Sequence, residues 1–166
     1  LDLSKHQAGV QKLSKERFSI TGLVRETLER YTKLREQEGY EITLEASEEA
    51  FVKADRMKIS QVIYNLINNA VNYTGKDKKV VIRQETDDDT VTLSIADTGE
   101  GIPEEQLGLV WERYYKLDKT HKRAAVGTGL GLSIVKNILD MHGAQYGVQS
   151  KVGEGSVFWF RLRRER

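Results

Sequence analysis

The chain has 166 residues, which fits one ordinary domain and is long enough to bury a stable core. Its 26 Lys and Arg residues against 25 acidic residues leave a formal net charge of +1, so composition gives no electrostatic reason to expect nucleic acid as a partner. There is no cysteine, which excludes a disulfide framework and fits a reducing cytoplasm, and no apolar run approaches the roughly 20 residues that cross a bilayer.

The first third of the chain predicts a helix between short strands. Residues 1–14 are polar with scattered apolar positions, which is typical of a helix tail or linker, and residues 17–20 are strand-like. Thr21 offers an N-cap for an amphipathic helix. Residues 41–46 and 50–55 predict a pair of strands.

The middle of the chain predicts a long helix and a hairpin. Apolar spacing indicates a helix over residues 56–73. Residues 80–86 and 90–97 are β-rich and enclose a tight acidic turn, which predicts a β-hairpin. The irregular stretch from about residue 102 to 128 exceeds the usual loop length, and insertions of that size tend to be functional lids.

The last third predicts a helix over residues 132–142 and two closing strands, residues 144–150 and 156–163. Strands grouped in hairpins together with three helices favour an α+β fold. We therefore expect a two-layer α/β sandwich, in which a mixed, mostly antiparallel sheet of about five strands packs on three helices.

A glycine-rich segment, GTGLGLSIVKNI, begins at Gly127 and runs into the last helix. Glycines there would let backbone N–H groups approach a bulky anion, and the first turn of a helix offers unpaired donors. The Gly-Lys-Ser/Thr of a P-loop is absent, as is the strand that leads into a dinucleotide-binding turn. Taken alone, the segment fits a phosphate site and a flexible capped loop equally well.

The segment DTGEGIP, which begins at Asp97, places a carboxylate at the end of an apolar strand and before two glycines. An ionised aspartate only accepts hydrogen bonds, so it suits an exocyclic amine such as that of adenine. A turn aspartate bonded to its own backbone would explain the same residues.

The predicted long helix carries an unusual number of asparagines opposite its apolar stripe. Asparagine is a mediocre helix former, so a solvated face would be served better by Lys or Glu. Asn65 and Asn69 are four residues apart and therefore lie on one face. An amide oxygen there could bind Mg²⁺, which leans on substrate phosphates for its other ligands.

The segment WERYYK, which begins at Trp111, has three aromatic residues and a cation that could anchor a lid to the core and bring positive charge to phosphates. Packing alone would also explain it. His142 before Gly143 is most simply a helix C-cap feature, and we nominate no histidine as a general base.

Together and in this order, the asparagine helix, Asp-x-Gly-x-Gly, the aromatic–cation segment and Gly-x-Gly-x-Gly resemble the sensor histidine kinases, in the superfamily that also holds the gyrase, Hsp90 and MutL ATPases. They are similar to that family's N box, first glycine box, F box and second glycine box. VGEGSVFWF is similar to its closing glycine-turn-strand, and LDLSK to the end of its second dimerisation helix. The resemblance implies a Bergerat-type ATP-binding fold over residues 16–166, with residues 1–15 as the helix tail or linker.

The resemblance also implies a site for ATP and Mg²⁺. Asp97 would accept the adenine amine, Asn69 would hold Mg²⁺, and Asn65 would lie beside the phosphates. Lys116 would approach the γ-phosphate. The other residues implied in nucleotide binding are Tyr73, Gly99, Gly101, Ile102, Gly127, Thr128, Gly129, Leu130, Gly131 and Leu132.

Two departures from the family pattern concern the phosphates. Asn72 stands where the family usually has Lys or Arg. Trp111, Tyr114, Tyr115 and Lys116 stand where the family usually has Phe-x-x-Phe-Tyr-Arg. Lysine keeps the charge but lacks the bidentate fork of arginine, so we expect a weaker grip on the γ-phosphate.

The implied reaction is phosphoryl transfer from Mg-ATP to a histidine, which depends mainly on positioning and charge neutralisation. In the family that histidine lies on the first dimerisation helix, and His6 is not in the matching place. The implied partners are the chain's own dimerisation domain, in a homodimer, and a response regulator. We expect this piece to be the monomeric, cytoplasmic part of a membrane-anchored bacterial sensor that cannot phosphorylate itself.

Three alternatives stay open. A self-contained ATPase of the gyrase or Hsp90 kind needs an acid to activate water, commonly a Glu in the asparagine helix, and this helix has none. A non-catalytic nucleotide-binding adaptor would tolerate Asn72 and Lys116. An anti-sigma serine kinase is a closer relative, against which the LDLSK lead-in and the WERYYK segment count.

Overall fold

The computed structural model describes residues 12–112 and 131–166. In chain order its elements are β1 (Lys15–Ser19), α1 (Ile20–Leu28), α2 (Thr32–Gln37), β2 (Glu41–Glu45), β3 (Phe51–Asp55), α3 (Arg56–Tyr73), β4 (Lys79–Thr86), β5 (Thr90–Asp97), α4 (Gly131–Met141), β6 (Gln145–Lys151) and β7 (Gly155–Arg163). Short 3₁₀ turns occupy Glu29–Tyr31, between α1 and α2, and Glu104–Gln106.

Five strands form one mixed sheet in the order β2-β4-β5-β7-β6. Only the β2–β4 pairing is parallel among the described strands, and the other three pairings are antiparallel. Alternate residues of β4, β5 and β7 are buried, because a strand presents successive side chains to opposite faces. The predicted α+β sandwich with a mostly antiparallel five-stranded sheet is confirmed.

Helix α3 places the asparagines, and its predicted bounds are confirmed. Asp55 caps it by accepting a hydrogen bond from the Lys58 N–H at 3.2 Å. The apolar stripe along one side of the helix is fully buried: Ile59, Val62, Ile63, Leu66, Ile67, Ala70 and Val71. At about 1.5–3 kcal/mol for each larger side chain, this burial fixes which side of the helix is left for the asparagines.

The predicted N-cap at Thr21 is wrong. Ser19 caps α1 instead, through a hydrogen bond that its hydroxyl accepts from the Gly22 N–H at 2.9 Å. The Thr21 side chain is fully buried, donates to Gln84 Oε1 at 2.6 Å and accepts from the Ala50 N–H at 2.9 Å. Its hydroxyl therefore ties α1 to the sheet rather than starting the helix.

The predicted pairing of residues 41–46 with residues 50–55 is also wrong. β2 pairs in parallel with β4, and β3 pairs antiparallel with β1 in a separate two-stranded sheet. The segment between them is bound elsewhere, because Gln84 Nε2 donates to the Glu48 carbonyl at 2.9 Å. Both strands thus find other partners, although their short connection is typical of a hairpin.

The two other hairpins, β4–β5 and β6–β7, are confirmed. The last helix, α4, begins and ends one residue earlier than predicted. It packs against α3, so the two helices lie together over the sheet. Within the described ranges, no helix is long and apolar enough to cross a membrane.

Candidate nucleotide site

The end of α3 and the segment after β5 meet in close backbone contact. A Cβ atom at residue 99 would lie 1.9 Å from the Tyr73 carbonyl oxygen, so only glycine fits there. Residues 97–102, which we call the Asp97 turn, are thereby held against the last turn of the asparagine helix. The structure thus brings together two of the segments that the sequence singled out, at Tyr73 and Gly99.

Asp97 is buried at the start of this turn, with 6% of its surface exposed. Burial raises the pKa of its carboxyl group to about 6, and hydrogen bonds from the backbone amides of Gly99 and Ser156 offset only part of that effect. The Gly99 N–H lies 2.8 Å from Oδ1. Asp97 is therefore an incompletely compensated hydrogen-bond acceptor, held in a fixed orientation.

Two threonine hydroxyls fasten the turn from the α3 side. Thr74 donates to the Lys79 carbonyl at 2.6 Å and accepts from the Thr98 N–H at 3.3 Å. Thr98 in turn donates to Asp77 Oδ1 at 2.5 Å. These bonds link the end of α3, the start of β4 and the residue after Asp97.

The β6–β7 turn fastens the other end. Gly101 has φ +81°, and a Cβ there would lie 2.3 Å from the Lys151 carbonyl oxygen. The Ser150 hydroxyl accepts from the Ile102 N–H at 2.7 Å and donates to the Gly155 carbonyl at 2.8 Å. The Ser156 hydroxyl lies 2.8 Å from the same Ser150 oxygen. Ser150 is thus the point at which Ile102 is tied to both closing strands.

The asparagine face reaches the first residue of α4. Asn65 Nδ2 donates to the Gly131 carbonyl oxygen at 3.4 Å. Asn69 Nδ2 is buried and has no hydrogen-bond partner among the described residues. A buried amide without a partner costs about 1–3 kcal/mol, so Nδ2 has an unused N–H donor that a phosphate oxygen would satisfy.

These features fit Mg²⁺ and phosphates in their donor chemistry. Magnesium takes oxygen ligands and usually keeps several waters. No cluster of three or more His, Cys, Asp or Glu side chains that could hold a metal occurs in residues 12–112 and 131–166. A bound Mg²⁺ would take oxygen ligands from water and phosphate, and an amide oxygen such as Asn69 Oδ1 would add one from the protein.

Several predicted site residues lie outside the described ranges: Tyr114, Tyr115, Lys116, Gly127, Thr128, Gly129 and Leu130. Of the aromatic–cation segment, the structure describes Trp111, whose ring contacts Tyr146 and Phe158 edge-on at centroid distances of 5.1 and 5.5 Å. Leu132, in the first turn of α4, packs against the core.

Sequence reasoning missed the residues that position the site without facing a ligand. Thr74 lies inside the recognised asparagine segment, and Ser150 and Ser156 flank the recognised glycine turn near the end of the chain. The sequence shows only a serine directly after Gly155. The structure adds that a Cβ at residue 155 would lie 2.1 Å from the Asp97 carbonyl oxygen, so this turn is pressed against the Asp97 turn.

Comparison with known families gives one match that covers most of the chain. The family described as "Histidine kinase-, DNA gyrase B-, and HSP90-like ATPase" matches residues 54–166. This range holds α3, the Asp97 turn, α4 and four strands of the five-stranded sheet.

Among curated proteins, the circadian input-output histidine kinase CikA of Synechococcus elongatus is 33% identical over 162 residues, which is 95% of this chain and 21% of CikA. The sensor histidine kinase MtrB of Mycolicibacterium paratuberculosis is 33% identical over 163 residues, which is 98% of this chain and 29% of MtrB. The chain thus spans less than a third of the length of these relatives.

Solved structures agree. The catalytic domain of histidine kinase ThkA, in a nucleotide-free form, superposes with a TM-score of 0.80 at 29% identity, covering 92% of this chain and 97% of that one. Full-length ShkA in complex with AMPPNP superposes with a TM-score of 0.79 at 27% identity, covering 94% of this chain and 32% of ShkA.

Proposed function

The chain belongs to the family of histidine kinase-, DNA gyrase B- and HSP90-like ATPases, as an ATP-binding catalytic domain of the sensor histidine kinase type, and from that premise we propose that it presents Mg-ATP to a histidine outside these 166 residues. The acceptor would lie on the dimerisation domain of the same protein. The phosphoryl group would then pass to a response regulator, the partner class expected for a two-component sensor.

The observation that carries this proposal is Asp97. It is a buried carboxylate that the Gly99 N–H orients, and it lies at the start of the Asp97 turn, whose glycine backbone forms one wall of the proposed site. Burial removes hydrogen bonds between the carboxylate and water. A flat base with an exocyclic N–H₂ group would replace one of them by donating to the carboxylate. Adenine has such an exocyclic amine. Gly99, Gly101 and Ile102 would line the wall, and Tyr73 would close its α3 side.

The phosphates would lie between the asparagine face and the beginning of α4. Asn69 would hold Mg²⁺, and Asn65 would stand beside the phosphates because it already contacts Gly131. The first turn of α4, which begins at Gly131, would add backbone N–H groups that have no partner within the helix. ATP, when bound, supplies the γ-phosphoryl group. Lys116 and residues 127–130, which complete the proposed phosphate contacts, rest on the sequence resemblance alone.

The acidic residues around α3 favour phosphoryl transfer to a separate acceptor over hydrolysis of ATP by this chain alone. Hydrolysis needs a carboxylate placed to activate water, and α3 contains no Asp or Glu between Asp55 and Asp77. Asp55 itself accepts hydrogen bonds from the backbone amides of Ser14 and Lys58. Both of its oxygens are therefore engaged in structure.

The test changes the group on the nucleotide that would face Asp97. Calorimetric titration of Mg-ATP and Mg-ITP into the chain compares an exocyclic amine with a carbonyl oxygen at the same ring position. We expect ATP to bind at least about tenfold more tightly, since a charge-assisted hydrogen bond contributes about 1.5–3 kcal/mol and the carbonyl would face the carboxylate.

The variant Asp97→Asn supplies the matched control, because an amide can donate to the carbonyl of ITP. We expect this variant to bind ATP and ITP equally tightly or to prefer ITP. A parental chain that binds neither nucleotide would refute the site. Equal binding of ATP and ITP by the parental chain and the variant would refute the role of Asp97 while leaving nucleotide binding in place.

A further inference from the structure

A second concave site lies at the seam between the two sheets, at the end of α4 that points away from Asn65. It is a cleft of about 460 Å³, lined by Lys15, Lys53, Arg161 and Arg163, with His142 and Glu165 at its edge. Helix α4 has 11 residues, so its two ends are roughly 16 Å apart. We call this site the basic cleft, and it shares no residue with the proposed nucleotide site.

The fold itself brings these cations together. Lys15 and Lys53 come from the paired strands β1 and β3, and Arg161 and Arg163 from β7. The two sheets are joined where the Glu165 N–H donates to the Phe51 carbonyl at 2.8 Å. Four basic side chains from three strands therefore line one concavity.

The charge of the cleft contrasts with the near-neutral chain around it. Six ion pairs between side chains are found in the described part of the chain: Arg56–Glu26, Arg83–Glu45, Lys136–Asp140, Lys151–Glu154, Arg164–Glu48 and Arg166–Asp88. Among the described residues, Lys15, Lys53 and Arg163 form none. With Glu165 as the single acid in its lining, the cleft concentrates uncompensated positive charge.

Arg161 adds a cation that is already held in place. Its Nε donates to Thr92 Oγ1 at 2.8 Å and its Nη1 to Gln145 Oε1 at 2.9 Å, and its guanidinium lies 5.2 Å from the centre of the Trp159 ring. These hydrogen-bond partners are neutral and orient the guanidinium, while Asp87, whose pKa the guanidinium lowers, offsets part of its charge. A ligand there would meet a preorganised donor, which reduces the entropy lost on binding.

The wall of the cleft also touches the residues where the described chain begins. His142 Nε2 accepts from the Asp55 N–H at 3.1 Å, and its Nδ1 lies 2.8 Å from the Ile138 carbonyl, to which it must donate. His142 thus links the end of α4 to the end of β3 through both of its ring nitrogens. Asp55 in turn accepts from the Ser14 N–H at 3.0 Å. A ligand that contacts His142 would therefore be connected, through Asp55, to the segment that leads into β1.

We propose that the basic cleft binds an anion that carries a phosphate group. A phosphate monoester brings a charge of about −1.5 to −2 and three acceptor oxygens, which matches several converging Lys and Arg donors better than a single carboxylate does. The cleft volume falls in the range of small-molecule sites, so it has room for more than one phosphate group. The phosphate can be free in solution or part of a lipid headgroup.

The experiment titrates sodium pyrophosphate, without Mg²⁺ and at constant ionic strength, into the ¹⁵N-labelled chain. We expect saturable shifts centred on the amides of His142, Ala144 and Arg163. The double variant Lys53→Ala/Arg163→Ala should bind at least tenfold more weakly. The double variant Lys33→Ala/Arg35→Ala removes the same charge from exposed positions of α2, and its affinity should equal that of the parental chain.

The spectra also report whether each variant is folded. Equal weakening in both double variants would overturn the proposal, since it would show diffuse attraction by net charge. Shifts confined to the amides of Asn69 and Gly131 would overturn it as well, because the anion would then occupy the proposed nucleotide site.

Co-sedimentation with vesicles of phosphatidylglycerol, compared with phosphatidylcholine, identifies the source of the phosphate. Binding to the anionic vesicles that is lost in Lys53→Ala/Arg163→Ala assigns the cleft to a lipid headgroup. Pyrophosphate binding without vesicle binding assigns it to a free phosphate. Binding of neither probe refutes the proposal.

Discussion

Asp55 and Asp97 occupy similar places in the fold, yet the two carboxyl groups differ in electrostatics. Each is the last residue of a strand and has 6% of its surface exposed. At Asp55 burial acts to raise the pKa, but hydrogen bonds from the backbone amides of Ser14 and Lys58 outweigh it, so the pKa is lowered. At Asp97 burial dominates, and the pKa is raised to about 6.

The difference lies in the segment that comes after each strand. After Asp55 a helix begins at once, and the first turn of a helix provides free N–H groups that stabilise a carboxylate. After Asp97 comes the turn over residues 97–102, and the carboxylate accepts from the Gly99 N–H in this turn and from the Ser156 N–H of β7. Each carboxylate thus has two backbone donors, and the pKa values differ because Lys58 lies beside Asp55 while desolvation outweighs the hydrogen bonds at Asp97.

The largest expected effect is a gain of stability on replacing Asp97 with Asn. A pKa raised from near 4 to about 6 corresponds to roughly 3 kcal/mol of destabilisation by the ionised carboxylate at pH 7. The unfolding free energy of the parental chain should therefore fall as pH rises from about 4 to 6, and that of Asp97→Asn should not. Urea unfolding at several pH values measures both curves.

The two curves should converge near pH 4, where Asp97 is protonated in the folded and the unfolded chain. A difference between them that does not change with pH would show that the variant acts through packing and not through the charge. If Asp97→Asn is more stable and also loses the preference for ATP, Asp97 serves nucleotide binding and destabilises the fold.

A smaller loss of about 2 kcal/mol is expected for Asp55→Ala. This change removes the N-cap of α3, which contributes about 0.5–2 kcal/mol, and the acceptor of the Ser14 N–H. Because the folded pKa of Asp55 is lowered, its stabilising effect should be present above about pH 4 and lost below it. Thermal unfolding at pH 7 and near pH 3 checks the size and the sign.

Asp140→Ala is the matched control for Asp55→Ala. Asp140 is an exposed partner of Lys136 in α4, and such surface pairs contribute about 0–1 kcal/mol. If Asp140→Ala were as destabilising as Asp55→Ala, the special position of Asp55 at the head of α3 would not be supported.

The smallest effect concerns Ser150, which touches neither aspartate but holds the far end of the Asp97 turn. Ser150→Ala leaves the Ile102 N–H without its acceptor, so the turn should loosen and the Kd for Mg-ATP should rise about fivefold, equivalent to about 1 kcal/mol. Ser94→Ala, at a half-buried position in the middle of β5, should leave the Kd unchanged. Equal affinities for all three chains would show that the turn keeps its shape without Ser150.

Much of the fold could be predicted because local pattern and tertiary structure agree. The apolar period of α3 and the β4–β5 hairpin each depend on residues that are close in sequence. The partners of β2 and β3 could not be predicted, because a short connection between two strands favours a hairpin. The buried contacts of Thr21 and Gln84, which are 63 residues apart, place the intervening segment elsewhere.

The candidate site divides in the same way. The sequence by itself predicted a ligand site at Asp97, Asn69 and the glycines, because these residue types and their spacing are unusual for a solvated helix or an ordinary turn. Only the tertiary structure decided that Asp97 is under-compensated while Asp55 is satisfied, and that Ser150 supports the turn. The desolvation of a carboxylate and the charges beside it depend on distant strands and helices meeting, which no local spacing encodes.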